Sequence, residues 1–487
     1  MSLYVIGIGG TGAKCIEALT HLCAAGLVPE EEVYMLFVDP DRANGSLERA
    51  RVTLQQYVNC NKLSLGTTPL FNTSVTSAKP DLWSPVGDQT PTLGDIFQYN
   101  VLRRSNPAAT HLFDVLFSQE ERNTNLDRGF RGHPSIGAAV MAQTIQLGTE
   151  EPWRTFRDKI AIDTSAGKEV KIFLAGSIFG GTGASGFPTI ARLIHNELDA
   201  ITQNARVGGA LLLPYFSFMP AESSGELKAS SENFMMSTQA ALKSYHRHHG
   251  EIYDRVYTLG DSNLSPVEQF STGAREQRNE PHFVELYAAL AAIDFCQREG
   301  TPRTFPMIAR EKAKILTWND LPDGGTVRTK LGQFTRFAFA YLCVYFGMLD
   351  DIRVKGKGYE APWYVNFFAR QKVALSNETM THLKEMRDYC RSYLIWLGNI
   401  QTSADQTTLE LFNWGAFASD HRPQDLHFTP GKFSNLVHPM GPEDPNALHD
   451  LWERISNKKI HDPEARDVGR FLRALYDCCA FEEVSTA

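Results

Sequence analysis

The stretch "KIFLAGSIFGGTGASGF", residues 171–187, joins a short apolar run to a cluster of glycines. The apolar run is typical of a buried strand, and the glycines are typical of a turn that leads into a helix. A helix that follows such a turn directs unpaired N–H groups and the positive end of its dipole at the turn. The stretch therefore predicts an anion-binding turn.

A second turn of the same kind opens the chain, in "LYVIGIGGTGAKC", residues 3–15. Read from Gly7, this turn fits the pattern GxGxxG, and Asp39 ends the next apolar run. A glycine turn followed by an acidic residue at the end of the second strand is also the fingerprint of dinucleotide binding. Taken alone, the first turn therefore leaves a nicotinamide-dependent oxidoreductase open, with Asp39 as a cofactor-binding residue.

Strands and helices alternate along the first 300 residues. Further strands are predicted in "VYMLFVD", "VGGALLLPYF" and "DRVYTLGD", which start at residues 33, 207 and 254. This alternation predicts an α/β fold with a doubly wound parallel sheet. In the usual strand order, the strands that precede the two glycine turns lie side by side, so both turns flank one crevice. Two such turns suit a polyphosphate held from both sides.

The domain organisation follows from changes in composition. Residues 1–300 are predicted to form the nucleotide-binding domain, with an irregular insertion at about 48–125 that is rich in Thr, Ser, Asn and Pro. Residues 301–487 are predicted to be mostly helical. The longest apolar stretch, Phe337–Leu349, is shorter than the roughly 20 residues that a membrane-spanning helix needs, so we predict a buried helix there.

Composition excludes several other classes of protein. The 487 residues carry a net charge of −8, which argues against broad nucleic-acid binding. The eight cysteines form no CxxC pair, so neither a disulfide framework nor a metal site of the protein's own is predicted. The N-terminus has no pattern of a signal peptide. We therefore expect a cytoplasmic protein with no membrane partner.

Four stretches in order resemble the tubulin/FtsZ superfamily. "FGGTGASG", residues 179–186, is similar to the family signature GGGTG followed by Ser or Thr and Gly, with Phe179 for the first glycine and one extra residue. The other three resemble the first glycine loop, the segment after the second strand and a third loop, and they are residues 7–14, 38–47 and 128–139. The chain looks like a divergent prokaryotic tubulin-like protein.

The resemblance implies binding of GTP or GDP with Mg²⁺ and assigns three sets of phosphate-binding residues. The first set holds the inner phosphates, the second lies beside the terminal phosphate, and the third holds the phosphates from the other side. Lys14 belongs to the first set, where division proteins carry an amide. The sets are Gly9, Gly10, Thr11, Gly12 and Lys14; Gly132, His133 and Pro134; and Gly180, Gly181, Thr182 and Gly183.

The resemblance also implies residues around the base. Phe283 matches an aromatic that stacks on the base, and packing in the core is its alternative role. Asp261 or Asn263 lies where the family reads the base edge. Tyr287, one helical turn beyond Phe283, replaces the usual amide or acid.

The catalytic residues that the resemblance implies are Asp320 and Asp323, in "TWNDLPDGGT". In the family, an acid on the loop after the central helix activates water at the next subunit's nucleotide. A role as exposed turn residues is the alternative for both acids here. The resemblance therefore allows slow GTP hydrolysis without requiring it.

The sequence thus predicts a GTP-binding protein that acts by nucleotide-dependent assembly, as a homo-oligomer or filament or in a complex with other proteins. Two alternatives stay open. The first is an NAD-dependent oxidoreductase with a Rossmann domain. The second is a nucleotide-bound sensor or structural subunit without turnover, for instance in an antiviral phage-defence or signalling complex.

Overall fold

A computed structural model defines the fold for most of the chain. The residues it describes are 1–87, 91–130, 132–198, 205–218, 238–243, 245, 250–262, 264–267, 279–299, 303–310, 315–355, 361–373, 375–403, 409–419 and 422–480. Their strands are β1 (Ser2–Ile8), β2 (Glu32–Val38), β3 (Ser74–Trp83), β4 (Val170–Ser177), β5 (Ala205–Leu212), β6 (Phe216–Phe218), β7 (Arg255–Asp261), β8 (Ser265–Val267), β9 (Met307–Arg310), β10 (Ala418–Ser419) and β11 (Arg422–Leu426).

Helices make up most of the remaining described structure. They are α1 (Gly9–Ala24), α2 (Gly45–Asn61), α3 (Leu93–Ile96), α4 (Tyr99–Ser105), α5 (Pro107–Leu116), α6 (Gln119–Asn123), α7 (Pro134–Thr144), α8 (Trp153–Ser165), α9 (Gly181–Leu198), α10 (Phe283–Gln297), α11 (Gly324–Ala340), α12 (Phe346–Lys355), α13 (Pro362–Tyr364), α14 (Asn377–Ser403), α15 (Ala447–Asn457) and α16 (Asp467–Cys478). Short 3₁₀ turns lie at Trp318–Asp320, Trp414–Ala416 and Pro430–Asn435, and π-helical turns at Tyr341–Tyr345 and Val365–Arg370.

Seven strands form one sheet in the order β3-β2-β1-β4-β5-β7-β9. All neighbouring pairs in it are parallel. The chain winds outward from β1 in one direction and then outward from β4 in the other, which is the doubly wound topology. The predicted fold class is therefore confirmed.

Side chains of each central strand alternate between two hydrophobic cores. In β1, Leu3 and Val5 belong to one core, whereas Tyr4 and Ile6 belong to the other. The first core contains α1, α2 and α10 together with the helices of the C-terminal region. The second core contains α7, α8 and α9. Both faces of the sheet are thus covered by helices, as a parallel sheet requires.

An irregular insertion was predicted at about 48–125, and the first part of this range is wrong because it has regular structure. Residues 45–61 form α2, and residues 74–83 form β3 at the edge of the sheet. The β3 sequence, SVTSAKPDLW, is half polar because one of its faces is partly exposed, so its composition resembles that of a loop. Only the short helices α3 to α6 remain as an insertion between β3 and α7.

The C-terminal region is mostly helical, as predicted, but the sheet extends into it. Strand β9 pairs with β7, so the sheet continues past the predicted boundary at residue 300. Phe337 and Leu349, which bound the longest apolar stretch, are both fully buried. Within the described part of the chain, no helix has both the length and the apolar character that crossing a membrane requires.

Candidate functional site

The two glycine turns meet at the carboxyl edge of β1 and β4. These strands pair in parallel with Ile8 opposite Gly176, so the turns that follow them are neighbours. A Cβ atom placed on Gly9 would lie 3.4 Å from the Cβ atom of Thr182. The structure therefore brings both predicted turns to one crevice.

A third segment, with Phe130 and Gly132, lies against the second turn. A Cβ atom placed on Gly181 would lie only 3.0 Å from the backbone nitrogen of Gly132. His133 directly precedes α7, and its Nδ1 lies 3.2 Å from Oε1 of Glu121 in the insertion. The residues assigned to the inner and the terminal phosphates thus lie around the same crevice.

Three helices direct their N-termini at this crevice. Helix α1 begins at Gly9, α7 at Pro134 and α9 at Gly181, and none has an acidic residue in its first turn. No side chain caps the first turn of α1 or α7. Unpaired N–H groups and the positive ends of three helix dipoles therefore favour an anion here.

Exposure separates residues that can face a ligand from residues that pack. Thr11 and Thr182 are half-buried, and Gly132 is exposed, with φ +79° and no atom within 4 Å of its Cβ position. A Cβ atom on Gly12 or Gly183 would instead lie 2.5 Å from a carbonyl oxygen of β4, so these two glycines let α1 and α9 approach the sheet. The other loop residues are the half-buried Gly10, Gly180, His133 and Pro134 and the buried Gly9 and Gly181.

Asn44, which sequence reasoning missed, adds a polar group beside the first turn. Its Oδ1 accepts hydrogen bonds from the backbone N–H groups of Ser46 and Leu47, at 3.0 and 3.2 Å, and so caps α2. A Cβ atom placed on Gly10 would lie 3.0 Å from Nδ2 of Asn44. An asparagine directly before a helix is a recognised N-cap signal, which could have identified it.

Asp39 does not lie open to a ligand. The side chain is 3% exposed, and its Oδ1 accepts a hydrogen bond of 3.0 Å from the backbone N–H of Asp41. Burial raises the pKa of Asp39 to about 8; the hydrogen bond from Asp41 opposes this rise and the charge of Asp41 adds to it. The acid of the dinucleotide fingerprint is therefore buried, and its predicted contact with a cofactor is not supported.

Replacing Asp39 with asparagine is expected to stabilise the protein increasingly as pH rises. In the folded chain Asp39 keeps its proton up to a pKa of about 8, whereas the unfolded chain loses it near 3.8. The free energy of unfolding of the wild type therefore falls as the pH rises from about 4 to 8, by a few kcal/mol at most. The asparagine variant has no proton to lose and keeps this stability. Urea denaturation of both chains at pH 5 and pH 8.5 measures the difference. A difference that is equal at both pH values would contradict this burial effect.

Lys14 lies beneath the first turn and not in the crevice. Its side chain is 2% exposed, and its ammonium group forms an ion pair with Glu285, which is 1% exposed. Tyr215 donates a hydrogen bond of 2.5 Å to Oε1 of the same carboxylate, and the His282 backbone N–H donates one of 2.9 Å to Oε2. Burial lowers the pKa of Lys14, and the Glu285 charge opposes this shift. The direct phosphate contact predicted for Lys14 is therefore replaced by a structural role between α1 and α10.

The residues predicted around the base lie near the start of α10. Phe283 begins this helix, but it is only 6% exposed and belongs to the core that includes α1, which favours its core alternative. Tyr287 donates a hydrogen bond of 3.2 Å to the backbone oxygen of Asp320. Asp261 ends β7 and is 7% exposed, and Asn263 lies outside the described residues. Base choice therefore rests on the resemblance.

The start of α10 is nevertheless close to the crevice. The backbone N–H of Asn279 donates a hydrogen bond of 3.2 Å to Oγ of Ser46, at the beginning of α2. Arg49 donates to the backbone oxygen of Asn279 at 3.0 Å. Because Asn44 caps the same end of α2 and contacts Gly10, the segment before α10 and the first glycine turn border one region.

Asp320 and Asp323 do not occupy the place that the resemblance gives to a catalytic acid. Helix α10 ends at the amino edge of the sheet, where Arg206 contacts the Arg298 backbone oxygen at 2.8 Å. Strand β9, which was not predicted, then returns the chain to the carboxyl edge, where the backbone of Asp320 meets Tyr287. The Asp320 carboxylate accepts hydrogen bonds from the backbone and hydroxyl of Thr317, at 2.9 and 3.2 Å, while Asp323 is exposed. Both acids therefore lie on the crevice side of the subunit.

Fold and site together define a doubly wound α/β protein with an anion-favouring crevice. Residues 119–293 match the family model described as "Tubulin like", and this match confirms the resemblance to the tubulin/FtsZ superfamily. Among solved structures, the chain is similar to "Helical model of TubZ-Bt two-stranded filament", with 10% identity and a TM-score of 0.27. The similarity covers 61% of this chain and 53% of that chain, so it spans about half of that chain's length. No curated protein has significant sequence similarity to the chain.

Proposed function

We propose that this tubulin-like protein binds a guanine nucleotide with Mg²⁺ and assembles with further copies or with partner proteins in a nucleotide-dependent way. The observation that carries the proposal is the convergence of three helix N-termini on one crevice. Gly9 lies against Thr182 and Gly181 lies against Gly132, so three segments that are far apart in the sequence border the same space. One such turn suits a single phosphate, whereas three suit a chain of phosphates.

The residues divide into roles along a phosphate chain. The half-buried turn at Gly10 and Thr11 would bind the inner phosphates through backbone N–H groups. The exposed Gly132 and the start of α7 would bind the terminal phosphate. Mg²⁺ would come with the phosphates, and the hydroxyl oxygens of Thr11 and Thr182 are the hard donors that these turns offer to it.

Within the proposed function, GTP is bound tightly and hydrolysed slowly, if at all. Asp323 is exposed and could orient a water molecule, whereas the Asp320 carboxylate already caps its own turn. Neither acid directly follows α10. A neighbouring subunit bound at the amino edge of the sheet would therefore receive no catalytic acid from Asp320 or Asp323. This observation favours, as the second candidate function, a subunit that holds its nucleotide with little or no turnover, as a sensor in a larger complex would.

Selectivity among nucleotides tests the proposal. We expect the purified protein to bind GTP at least tenfold more tightly than ATP and to show no binding of NAD⁺. The buried Asp39 is the physical reason to expect no NAD⁺ binding, since a dinucleotide needs an accessible acid at that strand end. Competition titrations against a fluorescent GTP analogue, together with chromatography of the nucleotide released on denaturation, measure both. Tight binding of NAD⁺ would restore the oxidoreductase alternative.

A further inference from the structure

Helix α5 of the insertion is apolar on two opposite faces. Thr110 and Phe113 are buried on the face that packs against the protein. The opposite face exposes large apolar side chains at helical spacing: Leu112 is 60% exposed, Val115 83% and Leu116 59%. Val101, on the preceding helix α4, is 58% exposed. Exposed large apolar side chains that are grouped in this way mark an interaction surface, so this outer face is expected to be covered.

Charged side chains stand at the two ends of this apolar face and differ in sign. Arg103 and Arg104 end α4, directly before α5 begins, and both are exposed. Glu120 follows the other end of α5, in the first turn of α6, and is also exposed. No ion pair joins these three side chains to any other described residue. The surface is therefore basic before α5, apolar along about 6 Å of the helix, from Leu112 to Leu116, and acidic after it.

This arrangement is complementary to itself when one copy is turned end for end. We propose that α5 is an interface between two copies of this chain, with the two α5 helices antiparallel about a twofold axis. Leu112, Val115 and Leu116 of each copy would form the apolar centre. Arg104 of each copy would face Glu120 of the other, because an antiparallel pair places opposite ends together. The inference rests on the assembly part of the proposed function and does not depend on nucleotide binding.

The same insertion contacts the crevice, which places the interface beside the candidate site. Glu121 follows Glu120 in α6, and its Oε1 lies 3.2 Å from Nδ1 of His133, the residue that directly precedes α7. Two short helices bury less area than stable protein interfaces do, so the dimer is expected to be weak, with a dissociation constant in roughly the micromolar range.

Sedimentation equilibrium over a range of protein concentrations tests the interface. Wild-type protein should pass from one to two times the monomer mass, and Val115→Lys should weaken this association at least about tenfold. Ile162→Lys is the matched control, because Ile162 is also exposed (67%) near the end of a helix but has no comparable apolar neighbours on α8. Equal association of Val115→Lys and wild type, or a wild-type protein that stays monomeric at about 100 µM, would overturn the proposal.

Charge reversal tests the antiparallel arrangement. Arg104→Glu and Glu120→Arg should each weaken dimerisation by roughly fivefold, since each breaks two symmetry-related exposed pairs. The double variant should restore wild-type association, and a double variant weaker than both single variants would overturn the antiparallel arrangement. GTP affinity, measured on the same samples, should remain at the wild-type value in all of them. Loss of dimerisation with normal GTP binding in a variant would show that the substitution acts on this interface and not on the nucleotide site. Absent GTP binding in the wild type would instead contradict the proposed function.

Discussion

Replacing Gly181 with valine is expected to lower the affinity for GTP at least about 100-fold while the sheet stays folded. A Cβ atom at this position would lie 3.0 Å from the backbone nitrogen of Gly132 and 3.1 Å from Cβ of Phe130. The methyl groups of valine extend further, so Phe130 and Gly132 must move away from the start of α9. A 100-fold loss corresponds to about 2.7 kcal/mol of binding free energy. Calorimetric titration with GTP measures it, with circular dichroism to confirm folding.

Two further valine variants complete this test. Gly325 lies in the first turn of α11 with no atom within 4 Å of its Cβ position, so Gly325→Val should bind GTP normally. A Cβ atom on Gly10 would lie 3.0 Å from Nδ2 of Asn44, so Gly10→Val should weaken GTP binding from the opposite wall. In an NAD-dependent oxidoreductase, only the Gly10→Val substitution would weaken cofactor binding, and Gly181→Val would not. Normal GTP binding by Gly181→Val would show that the second turn is structural and that the site is wrongly assigned.

Replacing Lys14 with methionine is expected to lower the free energy of unfolding by about 3–5 kcal/mol. The substitution leaves the Glu285 carboxylate, 1% exposed, without the cation that pairs with it. An unpaired buried charge costs about this much in other proteins. The double variant Lys14→Met/Glu285→Gln should recover most of the loss, because glutamine is neutral: its one carbonyl oxygen can accept from the His282 backbone, and its amide NH₂ can donate to the Tyr215 hydroxyl, which is able to accept as well as donate. Urea denaturation at neutral pH compares the three chains.

The same variant separates a structural role of Lys14 from contact with a phosphate. If Lys14 pairs only with Glu285, the folded double variant should bind GTP with nearly wild-type affinity. A Lys14→Met variant of normal stability with greatly reduced GTP affinity would contradict the structure and return Lys14 to the phosphate site.

The central crevice could be predicted from the sequence because it depends on local patterns and on one topological rule. Each glycine turn follows its own apolar run, and parallel strands β1 and β4 are neighbours in every sheet of this winding. The contact of Gly9 with Thr182 follows from these two facts. The third loop, at Gly132, could be placed only through the resemblance.

Other features could not be predicted because they depend on distant partners. The position of Lys14 is decided by Glu285, which is 271 positions further along the chain and shows no pairing signal in the sequence. Strand β9 is only four residues long, MIAR, and its short apolar run follows a proline, so the sequence does not distinguish it from a loop. Because this strand lies between α10 and the two acids, Asp320 and Asp323 do not directly follow the helix. Asp39 ends a recognisable strand, but its burial is a property of the packed loop around it.

If this crevice binds a nucleotide through its phosphates, calorimetric titration with GTP, GDP and guanosine will show a graded loss of affinity. Helix N-termini interact with negative charge, so affinity should fall with each phosphate removed, and guanosine should bind at least about 100-fold more weakly than GTP in the presence of Mg²⁺. The difference should shrink at high ionic strength, since partly exposed charges are screened by salt. Equal affinities for GTP and guanosine would mean that the three helix N-termini contribute nothing to binding, and the crevice would then not be a phosphate site.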